Sequence, residues 1–406
     1  MLRILDVSPC GQTARSTDLR EDGACRPLRE STCCTSDYPA LTCQAILFRR
    51  FAAEGPQVSP FHSTRNYDTD SCRGWMVAEL TGAGCYTSSV RMLIVNADDF
   101  GLSGGVNRAI VECHSGGVVS SATLMANGAA FADAVTAARS APNLSVGCHV
   151  VLVDGTPVSP PDAVETLLAI RSAEPDKFYS SLSAFAARAM LGGFDRDQLV
   201  AEITAQIRKV QSTGLQVTHL DTHKHAHMFP EILAALLRAA RICGVRAIRN
   251  PFVPLPAMPA RQFKGKPDLW KRYGQVRMLH TFSRQFLQRT KRAGLLTADG
   301  AIGVIETGSS DRPGDGSGYG SMLRQTLANL PEGTWELVCH PGYNDADLRA
   351  AGTRLLESRE EERRLLTSAE LRQFLEEQKI RVISYREFAE MFAEKSAERS
   401  RKPAPA

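Results

Sequence analysis

Two segments of the chain carry side chains suited to hydrolytic chemistry. Residues 93–102 read LIVNADDFGL, an apolar run that ends in the adjacent carboxylates Asp98 and Asp99. Further along, His219, Asp221, His223, His225 and His227 occupy alternate positions of VTHLDTHKHAHMF. Alternate residues of an extended chain share one face. The spacing therefore aims four imidazoles and a carboxylate the same way, an arrangement that no core tolerates unpaired. Cα atoms two apart on a strand are about 6.6 Å apart, whereas a metal–ligand bond is about 2.1 Å, so the whole row cannot hold one ion. One imidazole can ligate, leaving the rest as supporting partners, substrate contacts or the far side of a turn. A His-rich surface loop is the plainer alternative. It is disfavoured because the row continues an apolar strand into Met228, Phe229 and Pro230.

The paired aspartates face opposite ways on a regular strand, but a turn at the strand end lets both line one pocket. A cation bound by Asp99 would keep Asp98 ionised as a base. An Asp-rich turn around Gly101 is the competing structural explanation. A kinase-type DFG reading fails, since the glycine-rich loop, lysine strand and catalytic loop are missing. His149 ends the apolar strand LSVGCHVVL, and His340 in LVCHPG follows another and precedes a Pro-Gly turn. A lone histidine on an apolar strand is usually a core residue; its position at a strand end is what raises His149 above that. His340 suits a general acid that protonates a leaving amine. Glu306, Arg246 and Arg249 are weaker candidates, for substrate contact or for orienting the acid. Two histidines and a carboxylate around an open divalent ion form a hydrolytic metal site, chemistry that fits amide hydrolysis.

The elements that must position these groups alternate from Arg91 onward. Strand patterns at RMLIVNADD, VVSSATLMAN, LSVGCHVVL, LQVTHLD, VRAIRNP, TWELVCHPG and KIRVISYREF are interleaved with helical ones at VNRAIVECHSGG, AFADAVTAARSAP, DRDQLVAEITAQIRKVQSTG, PEILAALLRAARICG and TSAELRQFLEEQKI. This rhythm predicts an α/β fold of parallel strands joined by right-handed crossovers. The polar clusters fall at C-terminal strand ends, where such folds place active sites. Residues 251–300 break the rhythm, being Pro-rich and then basic and aromatic. They read as a solvated helical insertion over the barrel mouth, or as a lid that meets an anionic or membrane-associated substrate.

The 406 residues carry a formal charge of +4, with 43% hydrophobic and 23% charged residues. This composition supports a large core and gives no reason to expect a nucleic-acid partner. Seven of the eleven cysteines precede residue 90 (Cys10, Cys25, Cys33, Cys34, Cys43, Cys72, Cys85), with no CxxC pair among them. Residues 1–90 show no sustained period and read as a disordered extension or a non-native start, with Met92 opening the first convincing strand. The catalytic barrel is expected over 91–393 and a disordered tail over 394–406. No signal-peptide progression and no run of about 18 apolar residues is present, so a cytoplasmic location without a transmembrane segment is expected.

The motifs LIVNADDFGLS, VVSSATLMANG, VGCHVVL, THLDTHKHAHMFP and ELVCHPGYND occur in order over about residues 92–390. At these motifs the chain resembles the YdjC-like carbohydrate deacetylases, the group that includes chitooligosaccharide and hopanoid-biosynthesis-associated deacetylases. The resemblance implies a variant (β/α) TIM-like barrel that removes the N-acetyl group of an amino sugar in an oligosaccharide or glycolipid. It also implies a divalent metal, usually magnesium, although His2Asp ligation would equally suit zinc. Carried across motif by motif, it makes Asp99, His149 and His223 the ligands, Asp98 the base and His340 the acid. His225, His227, Glu306 and Arg249 remain as substrate contacts, and a homodimer as the assembly. The first 90 residues have no counterpart in the family pattern. Two alternatives stay open: a related barrel hydrolase cutting another small amide, and a noncatalytic carbohydrate-binding barrel.

Overall fold

The computed structural model describes residues 90–169, 176–252, 281–303 and 319–401, the last few of these as backbone only. The N-terminal extension, Glu306, residues 308–318 and most of the basic 251–300 segment lie outside the described residues.

Eight parallel strands form one sheet: β1 (Arg91–Phe100), β2 (Ser121–Leu124), β3 (Ser145–Val150), β4 (His219–Thr222), β5 (Ala247–Ile248), β6 (Gly300–Ile302), β7 (Gly333–Cys339) and β8 (Ile380–Ile383). Their order is β5-β4-β3-β2-β1-β7-β6, with β8 also against β1. The central β1 lies beside β7 over Arg91–Ala97 and shares its other pairings between β8 at its start and β2 at its end. A strand enclosed in this way must be apolar throughout. Leu93, Ile94, Val95 and Ala97 are accordingly buried.

The outer strands of this order are bridged by backbone hydrogen bonds. Ile248 N–H donates to Leu296 O at 2.9 Å and Ala301 N–H to Phe252 O at 3.2 Å, curling the sheet toward a barrel. This is the α/β barrel-type architecture expected from the alternation.

The crossover helices follow the expected segments. They include α1 (Gly104–Ser115), α2 (Phe131–Ser140), α3 (Leu182–Met190), α4 (Arg196–Gln211) and α5 (Pro230–Cys243). Later come α6 (281–293 as described), α7 (Tyr319–Ala328), α8 (Ala346–Ala350), α9 (Glu357–Leu366), α10 (Ala369–Glu377) and α11 (Tyr385–Arg401). Local chemistry sets their ends. Ser103 caps α1, Asp195 accepts from Asp197 N and Gln198 N at the start of α4, and Gly244 closes α5 at φ 73°.

Three expectations need correction. The strand LQVTHLD is shortened at its start and spans His219–Thr222, where the turn that follows ends it. The supposed last strand ends at Ile383, and YREF opens a helix. That helix runs to Arg401, so the tail is helical through that residue; its Ala, Glu, Lys and Arg content favours helix over coil.

The barrel interior is polar as well as apolar. The His219 ring stacks on Tyr385 at 3.7 Å, and its Nε2 lies 3.0 Å from Asn96 Oδ1. Gly147 leaves room for that ring: a Cβ there would sit 2.6–2.7 Å from its atoms. Gly147→Ala should therefore cost about 1–3 kcal/mol through overpacking. Thermal unfolding checks this, and an unchanged Tm would show that the ring moves freely.

Candidate active site

The two aspartates reach one pocket through a break in β1. Its register with β2 shifts between Ala97 and Phe100, and Asp99 adopts φ 63°, a left-handed conformation uncommon outside glycine. Gly101 follows at φ 93°, and its N–H donates to Asn107 Oδ1 at 2.7 Å. The irregular turn converts an alternating strand into a pair of converging carboxylates.

A second irregular turn shapes the histidine row. Past β4 the chain enters a 3-10 turn, His223–Met228, in which Lys224 and His225 both have positive φ. The expected single face is therefore broken at Thr222. His219 stays within the barrel, His223 swings to the mouth, and His227 folds back beneath it.

The atoms that meet are Asp99 Oδ1, His149 Nε2 and His223 Nδ1. Each nitrogen lies 3.4 Å from the carboxylate oxygen, and the nitrogens are 3.4 Å apart. The centre of such a triangle is about 2 Å from each corner, the length of a first-row metal–ligand bond. Asp99 Oδ1 is buried and has no hydrogen-bond partner. His149 Nδ1 is 2.8 Å from Asp221 Oδ1, which holds the Nδ1–H tautomer and leaves Nε2 free to ligate. This donor set fits a divalent cation. A second cluster, Asp98, His149 and Asp221, also meets at short range. Its carboxylates, however, are already satisfied by protein donors.

Those donors centre on Arg249, which is fully buried. Its Nη1 and Nη2 lie 2.7 and 2.6 Å from Asp98 Oδ2 and Oδ1, with Asp221 at 2.7 Å and Glu336 at 2.8 Å. Arg249 is thus not a substrate contact, as one sequence expectation had it. It orients the acids from below. His227 is likewise sealed from solvent, with Nδ1 2.6 Å from Thr222 Oγ1, so it braces the turn instead of facing the mouth. His225 is partly buried and its Nδ1 lacks a partner. His340 Nε2 stands 3.9 Å from Asp98 Oδ2.

Two further groups come from α9. Arg359 Nη2 donates to Asp99 Oδ2 at 2.5 Å, and Glu362 accepts from the His340 backbone N–H. Sequence reasoning passed over both because ESREEERRLL reads as a solvated face. The available signal was their spacing: residues 355, 359, 362 and 366 form one helical stripe with Leu355 and Leu366 at its ends.

Electrostatics follow from burial and pairing. Burial raises the Asp98 carboxyl pKa, but Arg249 outweighs it and holds the group far below the usual range. Asp99 is likewise lowered despite burial, by Arg359 and then His223. Burial opposes charge on His149, yet Asp221, Asp98 and Asp99 lift it to about 9. Burial lowers His340 to about 4 and His227 to about 3, and drives His219 and His225 well below the ordinary imidazole value. Glu362 is raised by burial to about 7.

The Asp-His-His triad at the C-terminal rim of this parallel α/β barrel is compatible with a divalent metal. The family model of the YdjC-like proteins matches residues 92–377, and the chain belongs to that family. A carbohydrate deacetylase of Geobacillus stearothermophilus is 32% identical over 73% of this chain and 98% of its own. Those of Brevibacillus brevis and Thermoanaerobacter pseudethanolicus are 31% and 29% identical at the same coverage. A crystal structure from Enterococcus faecalis V583, of a protein named for cellobiose-phosphate cleavage, shares the fold at TM-score 0.55. It is 24% identical and covers 74% of this chain and 99% of its own.

The buried neutral imidazoles make the metal-free protein acid-sensitive. Burial makes His219, His225, His227 and His340 titrate lower in the folded chain than an ordinary imidazole, near 6.5. Between pH 6.5 and 4 the unfolded chain therefore binds more protons, and stability falls as pH falls. Glu362, Glu336 and His149, all raised, act in the opposite sense but are outnumbered. His340 alone contributes a loss of about 2 kcal/mol between pH 6.5 and 5. Urea midpoints of the metal-free protein should drop over that interval; a flat profile would mean that these rings are hydrated.

Proposed function

We propose that the chain is a metal-dependent carbohydrate deacetylase that removes the N-acetyl group from N-acetylglucosamine units of an oligosaccharide or glycolipid. One observation carries the reading: the triangle of Asp99 Oδ1, His149 Nε2 and His223 Nδ1 has Asp98 and His340 beside it. The named activity of the relatives agrees with it. Asp99, His149 and His223 would hold the ion. Two imidazoles in the donor set suit zinc or another first-row ion better than magnesium, which prefers oxygen ligands. When bound, the ion supplies Lewis acidity toward the amide carbonyl and toward water.

The remaining chemistry belongs to the protein. Asp98 starts ionised, as a base must, and Arg249 fixes its direction. It takes a proton from the attacking water as the oxygen bonds to the acyl carbon. His340 starts neutral and 3.9 Å away, so it can receive that proton. It then delivers the proton to the nitrogen as the C–N bond breaks, leaving acetate and a free amino sugar. His225, partly buried in the turn after β4, would serve as a sugar contact.

Asp98→Asn should retain the ion and reduce acetate release from chitobiose and longer chitin oligomers by about 10²–10⁴-fold. A strong chelator should abolish the wild-type activity, and added divalent metal should restore it. Unchanged turnover in the asparagine variant would remove Asp98 as base. Failure to release acetate from oligomers or from N-acetylglucosaminyl lipids would reject the substrate class.

A further inference from the structure

Arg359 is the least accounted-for charge near the site. It is 1% exposed, comes from α9, and no substrate can reach it without displacing the wall. Its Nε donates to Leu355 O at 3.1 Å, anchoring the guanidinium to the backbone just ahead of α9. The arginine stem also packs on Gly342, where a Cβ would meet Arg359 Cδ at 3.0 Å. The anchored fork then presents Nη2 to Asp99 Oδ2 at 2.5 Å. The other carboxylate oxygen, Oδ1, is left without a hydrogen bond and equidistant from the two ligand nitrogens.

We infer that Arg359 is a positioning residue that commits one oxygen of Asp99 to the protein, so that the aspartate offers a single oxygen to the cation. This rests on the proposed reading of the Asp-His-His triad as a cation site.

Carboxylates bind divalent ions through one oxygen or two. A two-oxygen Asp99 would fill a position that a hydrolytic ion must keep open for water and the acyl oxygen. A role in charge balance alone would need only a cation near Asp99. It would not need the selective use of Oδ2, nor the anchoring of the fork by Leu355 and Gly342.

The test compares Co2+-substituted wild type with Arg359→Met and Arg359→Lys. Visible Co2+ absorption weakens as coordination number rises, which gives a readout independent of turnover. The methionine variant should still take up Co2+, with a clearly weaker visible band. Its kcat for acetate release should fall about 10–100-fold, with KM within about twofold. Arg359→Lys, which keeps a donor and the charge, should recover the wild-type band and most of kcat. Should the methionine variant not fold, Arg359→Gln carries the same comparison, with a smaller weakening of the band expected. Superimposable spectra for wild type and the methionine or glutamine variant would overturn the role of Arg359 while leaving the cation site intact. Failure of wild type to bind Co2+ would overturn both.

Discussion

A single guanidinium inside the barrel sets the terms for everything around it. Arg249 is fully buried and gathers Asp98, Asp221 and Glu336 at 2.6–2.8 Å. Burying any of these carboxylates alone would cost several kcal/mol or force it to take up a proton. Gathered around one cation, Asp98 stays ionised and points toward the mouth, and Asp221 stays available to orient His149. Tyr385 completes the arrangement by donating to Glu336 Oε2 at 2.5 Å. Burial, and after it the charge of Arg249, keeps the neighbouring imidazoles His219, His225 and His227 neutral.

On this floor the site is built by backbone irregularity. Regular strands alternate their side chains, so without a break Asp98 and Asp99 could not converge and His223 could not part from its row to reach the mouth. The positive φ values at Asp99, Lys224 and His225 provide those breaks. Strain of this kind costs on the order of 1–3 kcal/mol per residue and persists where surroundings over-determine it. Here the surroundings are the Arg359 contact at Asp99 and the Thr222–His227 contact under the turn.

Much of this was legible in the chain. The strand ends at Asp98, His149 and His340 follow from apolar runs that stop in polar residues, and the repeating strand–helix rhythm leads to the barrel. The row from His219 to His227 was legible as special but not as geometry. Alternation predicts one face, whereas two successive left-handed residues at Lys224 and His225 redirect the row, and neither is the glycine that usually signals such a turn. The supporting groups were the least legible. Arg249 is legible only as a weaker candidate for substrate contact or for orienting the acid, and Arg359 and Glu362 hide in a run of charges. Their roles depend on contacts 260 residues apart in sequence for Arg359 and Asp99, and 151 for Arg249 and Asp98. No local pattern encodes such contacts.

The central claim is that one divalent ion is held by three side chains drawn from β1, β3 and the turn after β4. Anomalous diffraction from crystals grown with Zn2+ or Mn2+ tests it most directly. The account predicts one strong peak about 2.0–2.3 Å from Asp99 Oδ1, His149 Nε2 and His223 Nδ1. A peak on Asp98 and Asp221 instead, or no peak between the two imidazoles, would contradict it.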